Sequence, residues 1–420
     1  MSRLFTTLLI AAMILGIGVG WACHQGLDAA HIKQVADGLA VLTDMFLRLI
    51  KMIIAVLVFT TLVSGIAHME DAGAVGRVGA KTMLWFVSAS LVSLLIGLLM
   101  VHLIQPGAGL NLTPPPVTAK SGVEATSLTV SGFLTHLIPT SIVKAMADNE
   151  ILQVVVFSLF FGTAIAAVPG RAPALMGVIE QAAQVMLKVT GYVMRAAPVA
   201  VFAALASTVA TQGMSVLTTY AKFVGGFYLS LGVLWAVLFG ACFVVIGPRV
   251  VDLFKAIRAP TLIAFSTASS EAAYPRILEG LERFGVSPKV ASFVLPLGYS
   301  FNLDGSTMYC TFATLFVAQV YGIHLSLGQQ VTMLLLLMVT SKGMAGVPRA
   351  SLVVIAATLP TFNLPEAGLV LIIAVDHLLD MGRSATNVVG NSVASAVVAK
   401  WEGQLGPPVP LFPAPVKAEA

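Results

Sequence analysis

DHLLDMGRSATNVVGN, residues 376–391, sets Asp376, Asp380, Arg383, Asn387 and Asn391 into an otherwise apolar run. At about 100° per residue, the helical spacing brings all five into an arc of roughly 80°, one polar stripe along one face. An ion at bilayer depth costs at least ~2.5 kcal/mol, so such residues mark substrate or ion pathways when a membrane surrounds them. A structural ion pair of Asp380 with Arg383 accounts for only two of the five, whereas a pathway accounts for the stripe. Arg383 offers a planar donor fork suited to a carboxylate. Asp380, one turn away, can hold an ammonium group, so the two together suit a zwitterion that carries an additional acid. Carboxylate and amide oxygens without imidazole or thiolate favour a hard ion such as Na+. His377 has no second histidine at ligand spacing, and no transition-metal site is expected.

The rest of the chain supplies the membrane. Of 420 residues, 23 are Lys or Arg and 19 Asp or Glu; charged residues make up 10%, against roughly a quarter in a soluble domain. Hydrophobic residues reach 58% and mean hydropathy is +0.94. A soluble fold cannot bury that much apolar surface behind a wettable exterior. Disorder, a disulfide scaffold and a cytosolic enzyme are excluded. The net charge of +4 is too small and scattered for nucleic acid. Cys23, Cys242 and Cys310 lie far apart in apolar runs and read as packing residues. Residues 5–23 carry no charge and no small-x-small cleavage site follows, so they read as a retained first span.

Charge-poor stretches near 5–23, 40–68, 83–104, 132–168, 180–211 and 223–247 predict six helices or helix groups before residue 250. Some are longer than a perpendicular crossing needs and must tilt or protrude. Arg3, Arg77, Lys81, Arg249, Lys255 and Arg258 can share one side, which is then cytoplasmic. Pro114 to Pro116 with Gly107 and Gly109 mark an exposed loop, and its Asn111 to Thr113 triplet fits a glycosylation acceptor, a pattern that often arises by chance. The proline-rich C-terminal tail is expected to be unstructured.

From Thr261 to Lys400, polar clusters interrupt the apolar background at 266–271, 302–306 and 343–348, ahead of the stripe. The order reads as hairpin, helix, hairpin, helix. Paired, broken apolar segments in corresponding places point to a transporter site at mid-membrane. Asn302, Asp304 and Gly305 suit either an unwound segment ligating a cation or a capped helix kink. The serine-rich tip at 266–270 suits either an anion held by backbone N–H groups or a polar loop reaching water. Gly343 to Pro348 suits a flexible lid, or any turn.

With these residues in place the chain resembles the dicarboxylate/amino acid:cation symporters, which include bacterial glutamate/aspartate transporters and animal excitatory amino acid transporters. The resemblance is densest in Thr267 to Glu271, Asn302 to Ser306, Ala345 to Pro348 and Asp376 to Asn391, with support from Phe46 to Met52 and Pro106 to Gly109. It implies an all-α integral membrane fold with eight transmembrane helices, two re-entrant hairpins and an elevator mechanism, in a homotrimer embedded in a bacterial inner membrane. The scaffold would be helices 1 and 2 (1–80) and helices 4 and 5 (132–211). Helix 3 (81–105) and residues 212–400 would form the transport domain, with an exposed loop at 106–131 and a disordered tail at 401–420. By the same resemblance Ser269, Ser270, Val347, Asp380, Arg383, Ser384 and Asn387 would bind substrate, Arg383 taking its side-chain carboxylate and Asp380 its amino group. Gly298, Asn302, Asp304, Ser341, Asn387 and Asn391 would bind cations. Gly343, Ala345, Gly346 and Pro348 would form the gate. No cofactor is implied beyond coupling ions, H+ and/or Na+.

Relatives that carry C4-dicarboxylates lack an acid at the position of Asp380, which favours glutamate or aspartate here, with dicarboxylates second. Several residues depart from the family pattern. Asn391 stands where sodium-coupled members carry an Asp, which favours fewer sodium ions or proton coupling. Ala89 and Ser90 replace a Thr-Ser pair, Cys310 follows Tyr309 where animal members carry a proton-accepting Glu, Val56 replaces a proline, and Arg349 replaces a small gate residue. The competing classes are a membrane-embedded hydrolase and an ion channel. The sequence has no Gly-x-Ser-x-Gly elbow or His-Glu-x-x-His site, and a channel cannot concentrate its ligand.

Overall fold

A computed structural model describes residues 3–67, 72–108, 138–168, 172–213, 220–341, 350–373 and 375–408. The expected gate (Gly343, Ala345, Gly346, Pro348), with Val347 and Arg349, lies outside the described residues, as does most of the 106–131 loop. The described residues are almost entirely helical and contain no strand; a single isolated antiparallel bridge joins Val286 to Leu405. Five stretches among them are long and apolar enough to cross a bilayer: Thr7–Gly26, Ala29–Ala67, Val75–Ile104, Pro173–Thr211 and Ala221–Thr267.

In the first half, α1 (Arg3–Gly26), α2 (Ala29–Ala67) and α3 (Ala72–Ile104) are followed by α4 (Ile142–Ala147), α5 (Ile151–Ala166), α6 (Pro173–Val193) and α7 (Ala197–Gln212). A 3₁₀ turn, Met194–Ala196, interrupts the expected 180–211 span between α6 and α7, with Pro198 in the first turn of α7, where its missing N–H costs nothing. Helix α1 lies on α7, and α2 packs against α5, α6 and α7. The first contact depends on small residues. A Cβ at Gly16 would stand 2.7 Å from the Phe202 carbonyl oxygen, and one at Gly20 2.6 Å from that of Ala206.

The second half opens with α8 (Ala221–Ile246). Helices α9 (Val250–Thr267) and α10 (Tyr274–Phe284) pack against each other across a short tip, where Ala268 takes a left-handed φ of +49°. This is the first expected hairpin. Helices α11 (Pro288–Phe301) and α12 (Asp304–Val320) are one apolar segment broken at Asn302 and Leu303. Helices α13 (Leu327–Thr340) and α14 (Ala350–Thr358) flank residues 342–349, and α15 (Gly368–Ile373) precedes α16 (Asp376–Trp401). Helix α16 is packed by α3, α8, α9, α11 and α12, which is why its polar stripe faces protein.

Two segments read from sequence as loop or tail are held in place. Pro106 and Gly107 are buried, and the Gly107 N–H donates to Gln319 Oε1 at 3.0 Å. Residues 401–408 of the expected tail are held by backbone bonds. Ser287 N–H donates to the Gln404 carbonyl at 3.1 Å, Gly406 N–H to that of Gly285 at 2.8 Å, and Arg249 Nη2 to the carbonyls of Phe284 (3.0 Å) and Gly406 (2.8 Å). Gly285 has φ +112°, and a Cβ there would overlap the Gly406 carbonyl. Backbone pairing therefore overrides the disordering tendency of the prolines.

Just before this strap, Glu402 bonds Arg77 Nε at 3.1 Å and Lys81 Nζ at 2.6 Å, and Trp401 meets Trp85 edge-on at 5.8 Å. Burial pushes the Glu402 carboxyl up, but the hydrogen bonds from Lys81 and Arg77 outweigh it and hold it below the usual carboxylate range. A depressed folded-state pKa contributes stability that is present above the unfolded value and is lost as pH falls through the folded one. Glu402→Gln is therefore expected to lower the melting temperature at neutral pH, with the gap to wild type closing below about pH 4; a constant gap at every pH would show that the carboxylate charge contributes nothing. Gly20→Leu is expected to destabilise by about 1–3 kcal/mol through overpacking against α7, read in the same melting assay.

Candidate functional site

The centre of the second half is a buried guanidinium. Arg383 is 1% exposed and heads the large, fully buried side chains. Its Nη2 lies 3.1 Å from Asp376 Oδ1 and 2.9 Å from Asp380 Oδ1, residues two turns and one turn earlier on the same helix. Tyr309 of α12 donates its hydroxyl to Asp376 Oδ1 at 3.1 Å and lays its ring face 4.1 Å from the guanidinium carbon. Two carboxylates and a π face thus meet one end of the cation. Nε and Nη1 are buried and have no hydrogen-bond partner. The two acids differ in access: the Asp376 side chain is 2% exposed and that of Asp380 29%. Asp376 fixes the arginine, while Asp380 also faces open space.

Ser384, the next residue of α16, is buried, and Asn387 lies one turn further on. Asn387 accepts the Gly305 and Ser306 N–H groups on its Oδ1 at 3.0 and 3.3 Å, and its Nδ2 donates to Ser306 Oγ at 3.1 Å. Helix α12 starts in mid-segment with no side-chain cap of its own, so its first N–H groups need a partner, and Asn387 supplies it from across the interface. Gly305 permits this approach, since a Cβ there would stand 2.6 Å from the Arg383 carbonyl oxygen.

Below it the break between α11 and α12 meets α16. Asn302, Asp304 and Asn391 are all fully buried. Asn302 N–H bonds the Gly298 carbonyl at 2.8 Å, and its Nδ2 donates to Asp304 Oδ2 at 3.1 Å and Asn391 Oδ1 at 3.2 Å. Ser93 of α3 reaches Asp304 Oδ1 at 3.4 Å. A Cβ at Gly298 would overlap Asn391, and one at Gly390 would overlap Asp304. Asn302 Oδ1 is buried without a donor. A carboxylate, amide oxygens and an orphaned carbonyl-type oxygen fit a hard alkali cation, not a transition metal. Among the described residues no group of three or more His, Cys, Asp or Glu could hold a metal ion.

The remaining expected residues lie at the hairpins. Ser269 Oγ accepts the Ala272 N–H at 3.3 Å, and the Ser270 carbonyl accepts the Tyr299 hydroxyl at 2.9 Å, so α11 pins the first tip. Ser341 is buried and caps the end of α13, immediately before residues 342–349, where the expected second hairpin tip lies outside the described residues. Sequence reasoning did not single out Tyr309, Ser93 or the anchoring role of Asp376. Asp376 was visible as a stripe member, but the other two stand in apolar helices with no local signal.

A family model described as the sodium:dicarboxylate symporter family matches residues 5–401. A proton/glutamate-aspartate symporter of Escherichia coli (strain K12) is 41% identical over 403 residues, 94% of this chain and 92% of that protein. C4-dicarboxylate transport proteins of Rhizobium leguminosarum (41% over 390 residues, 91% and 88% covered) and Agrobacterium fabrum (39% over 401 residues, 94% and 88%) are similar to the same extent.

Breaking a buried ion pair costs about 3–5 kcal/mol because a charge is left uncompensated. Asp376→Ala should therefore lower stability by about 3 kcal/mol, and Asp380→Ala by clearly less, in thermal melts of the purified protein. Equal losses would contradict the division of labour between the two acids.

Proposed function

The chain belongs to the sodium:dicarboxylate symporter family, and within it we propose a secondary active symporter, not an enzyme, that imports L-glutamate or L-aspartate with a coupled cation. The observation that carries this reading is the state of Arg383: a buried guanidinium with two nitrogens unpartnered, beside an aspartate that is itself partly open. An incoming side-chain carboxylate would satisfy Nε or Nη1. Asp380 would take the ammonium group, with Ser384 and the hairpin tips at Ser269, Ser270 and Val347 enclosing the rest. A C4-dicarboxylate has no ammonium group and would bring a second negative charge toward Asp380. The relatives named for C4-dicarboxylate transport are as similar as the one named for glutamate and aspartate, so dicarboxylates are the second reading and Asp380 is the residue that discriminates.

Moving an anion inward against ~100 mV costs about 2.3 kcal/mol per charge, and co-transported cations reverse that sign. Gly298, Asn302, Asp304 and Asn391 are the proposed cation residues, with Asn387 and Ser341 beside them. Asn391 supplies an amide where a carboxylate would bind Na+ more strongly, which favours H+ as the main coupling ion. The packing of α1 on α7, of α2 on α5, α6 and α7, and of α3 on α8, α11, α12, α13 and α16 supports a scaffold and a transport domain moving as an elevator, with α2 on α11 and α7 on α9 among the contacts between them, gated by residues 343–348. The homotrimer rests on the family resemblance.

Uptake of labelled L-glutamate, L-aspartate and succinate into proteoliposomes, under separate proton and sodium gradients, tests the reading. Proton-driven accumulation of the amino acids is expected. Arg383→Gln should abolish uptake of all three, and Asp380→Ala should reduce amino-acid uptake roughly 100-fold, from the loss of one desolvated charge partner, while sparing succinate. Succinate accumulation without amino-acid uptake would establish the dicarboxylate reading, and strict sodium dependence would remove the argument from Asn391.

A further inference from the structure

Away from the α16 site, a cavity of about 220 Å³ lies where the ends of α3 and α12 meet the start of α13. Two imidazoles line it, His102 from the last turn of α3 and His324 from the α12–α13 turn, both exposed. Arg77 and Lys81 near the start of α3 mark that end as cytoplasmic by the positive-inside rule, so the cavity is on the outer side.

The fold holds both histidines in place and leaves each a nitrogen to give. Gln330, buried, donates its Nε2 to the Leu325 carbonyl at 2.8 Å and so turns its Oε1 toward His102 Nε2, 2.9 Å away. An amide oxygen only accepts, so Nε2 carries the ring proton and Nδ1 keeps its lone pair. Metal-binding imidazoles are held in this way, the other nitrogen donating to a neighbour. The His324 ring makes no hydrogen bond among the described residues. Its backbone leaves a closed helix end, where Gly322 has φ +66° and the Ile323 N–H donates to the Ala318 carbonyl at 2.8 Å. Gln319 ties that end to α3 through the Gly107 N–H at 3.0 Å and the Val101 carbonyl at 3.2 Å. A Cβ at Gly107 would stand 2.6 Å from Gln319 Cβ, so the two histidine-bearing segments touch.

We propose that this cavity binds a divalent transition-metal ion of the zinc class, with His102 Nδ1 and one His324 nitrogen as ligands. The side-chain amide of Gln105, which also lines the cavity, and water complete the sphere. Imidazole suits Zn2+, Ni2+ and Cu2+, whereas Mg2+ and Ca2+ take carboxylates, and no acid lines this cavity. An anion fits less well: the lining holds no Lys or Arg, and His102 presents a lone pair because its N–H is already taken. Among the described residues no third His, Cys, Asp or Glu joins the pair, so the site is an exchangeable one. The two histidines are far apart in sequence, and only the packing of α3 against α12 and α13 brings them to one cavity.

The test titrates full-length protein in detergent, first stripped of metal by a chelator, with Zn2+ and separately with Mg2+, reading bound metal per chain and melting temperature. Wild type is expected to bind one zinc more than His102→Ala/His324→Ala and to melt higher with zinc, with no response to Mg2+. Gln330→Ala keeps both ligands and should weaken that zinc about 10-fold, less than either single histidine substitution. Co2+ in place of Zn2+ should show the visible absorption of a nitrogen-ligated ion in wild type and lose it in the double variant. Both rings are exposed, so the metal-free variants should melt with wild type; His102→Gln/His324→Gln takes the place of a double variant that melts early. Equal zinc stoichiometry and affinity in the double variant would overturn the proposal. So would a rise in melting temperature with phosphate or succinate that depends on the two histidines while zinc has no effect, which would assign the cavity to an anion.

Discussion

The burial of the Arg383 guanidinium is the constraint on which the second half of the protein depends. An arginine cannot shed its proton to escape an apolar environment, so the fold must bring compensation to it. Two carboxylates come from its own helix and one aromatic face from α12. That compensation is incomplete by two nitrogens, and this is the feature on which the proposed binding of an anion rests. The difference in exposure between Asp376 and Asp380 then separates the acid that holds the arginine from the acid that can meet a ligand.

Bringing α12 to α16 this closely requires the absence of side chains. Gly298, Gly305 and Gly390 stand where a Cβ would meet Asn391, the Arg383 backbone or Asp304. The same close approach solves the problem created by breaking the α11–α12 segment at Asn302 and Leu303. A helix start without a cap leaves N–H groups unsatisfied, and Asn387 accepts two of them. The buried arginine, the helix break and the oxygen-rich cluster at Asn302 are thus one connected arrangement, in which most polar groups are completed by a neighbour.

Membrane class, the first hairpin, the broken α11–α12 segment and the polar stripe of α16 were legible in the sequence, because each is a local property of hydropathy or helical period. The 3₁₀ turn at Met194 to Ala196 was not, since the flanking residues are as apolar as the helices it separates. The order in residues 402–408 was equally hidden: a proline-rich stretch reads as a tail until the α10–α11 turn and Arg249 offer it backbone partners.

By itself, then, the sequence determined an all-helical membrane protein with one charged face buried in its final helix, because composition and a 3.6-residue period act within a single segment. Only the tertiary structure decided how that face is used. Tyr309 reaches Asp376 across 67 residues and Ser93 reaches Asp304 across 211. Asn387 is committed to the start of α12, and Arg383 keeps two nitrogens free. Such partnerships follow from which helices share an interface, and the pattern along any one helix does not specify that.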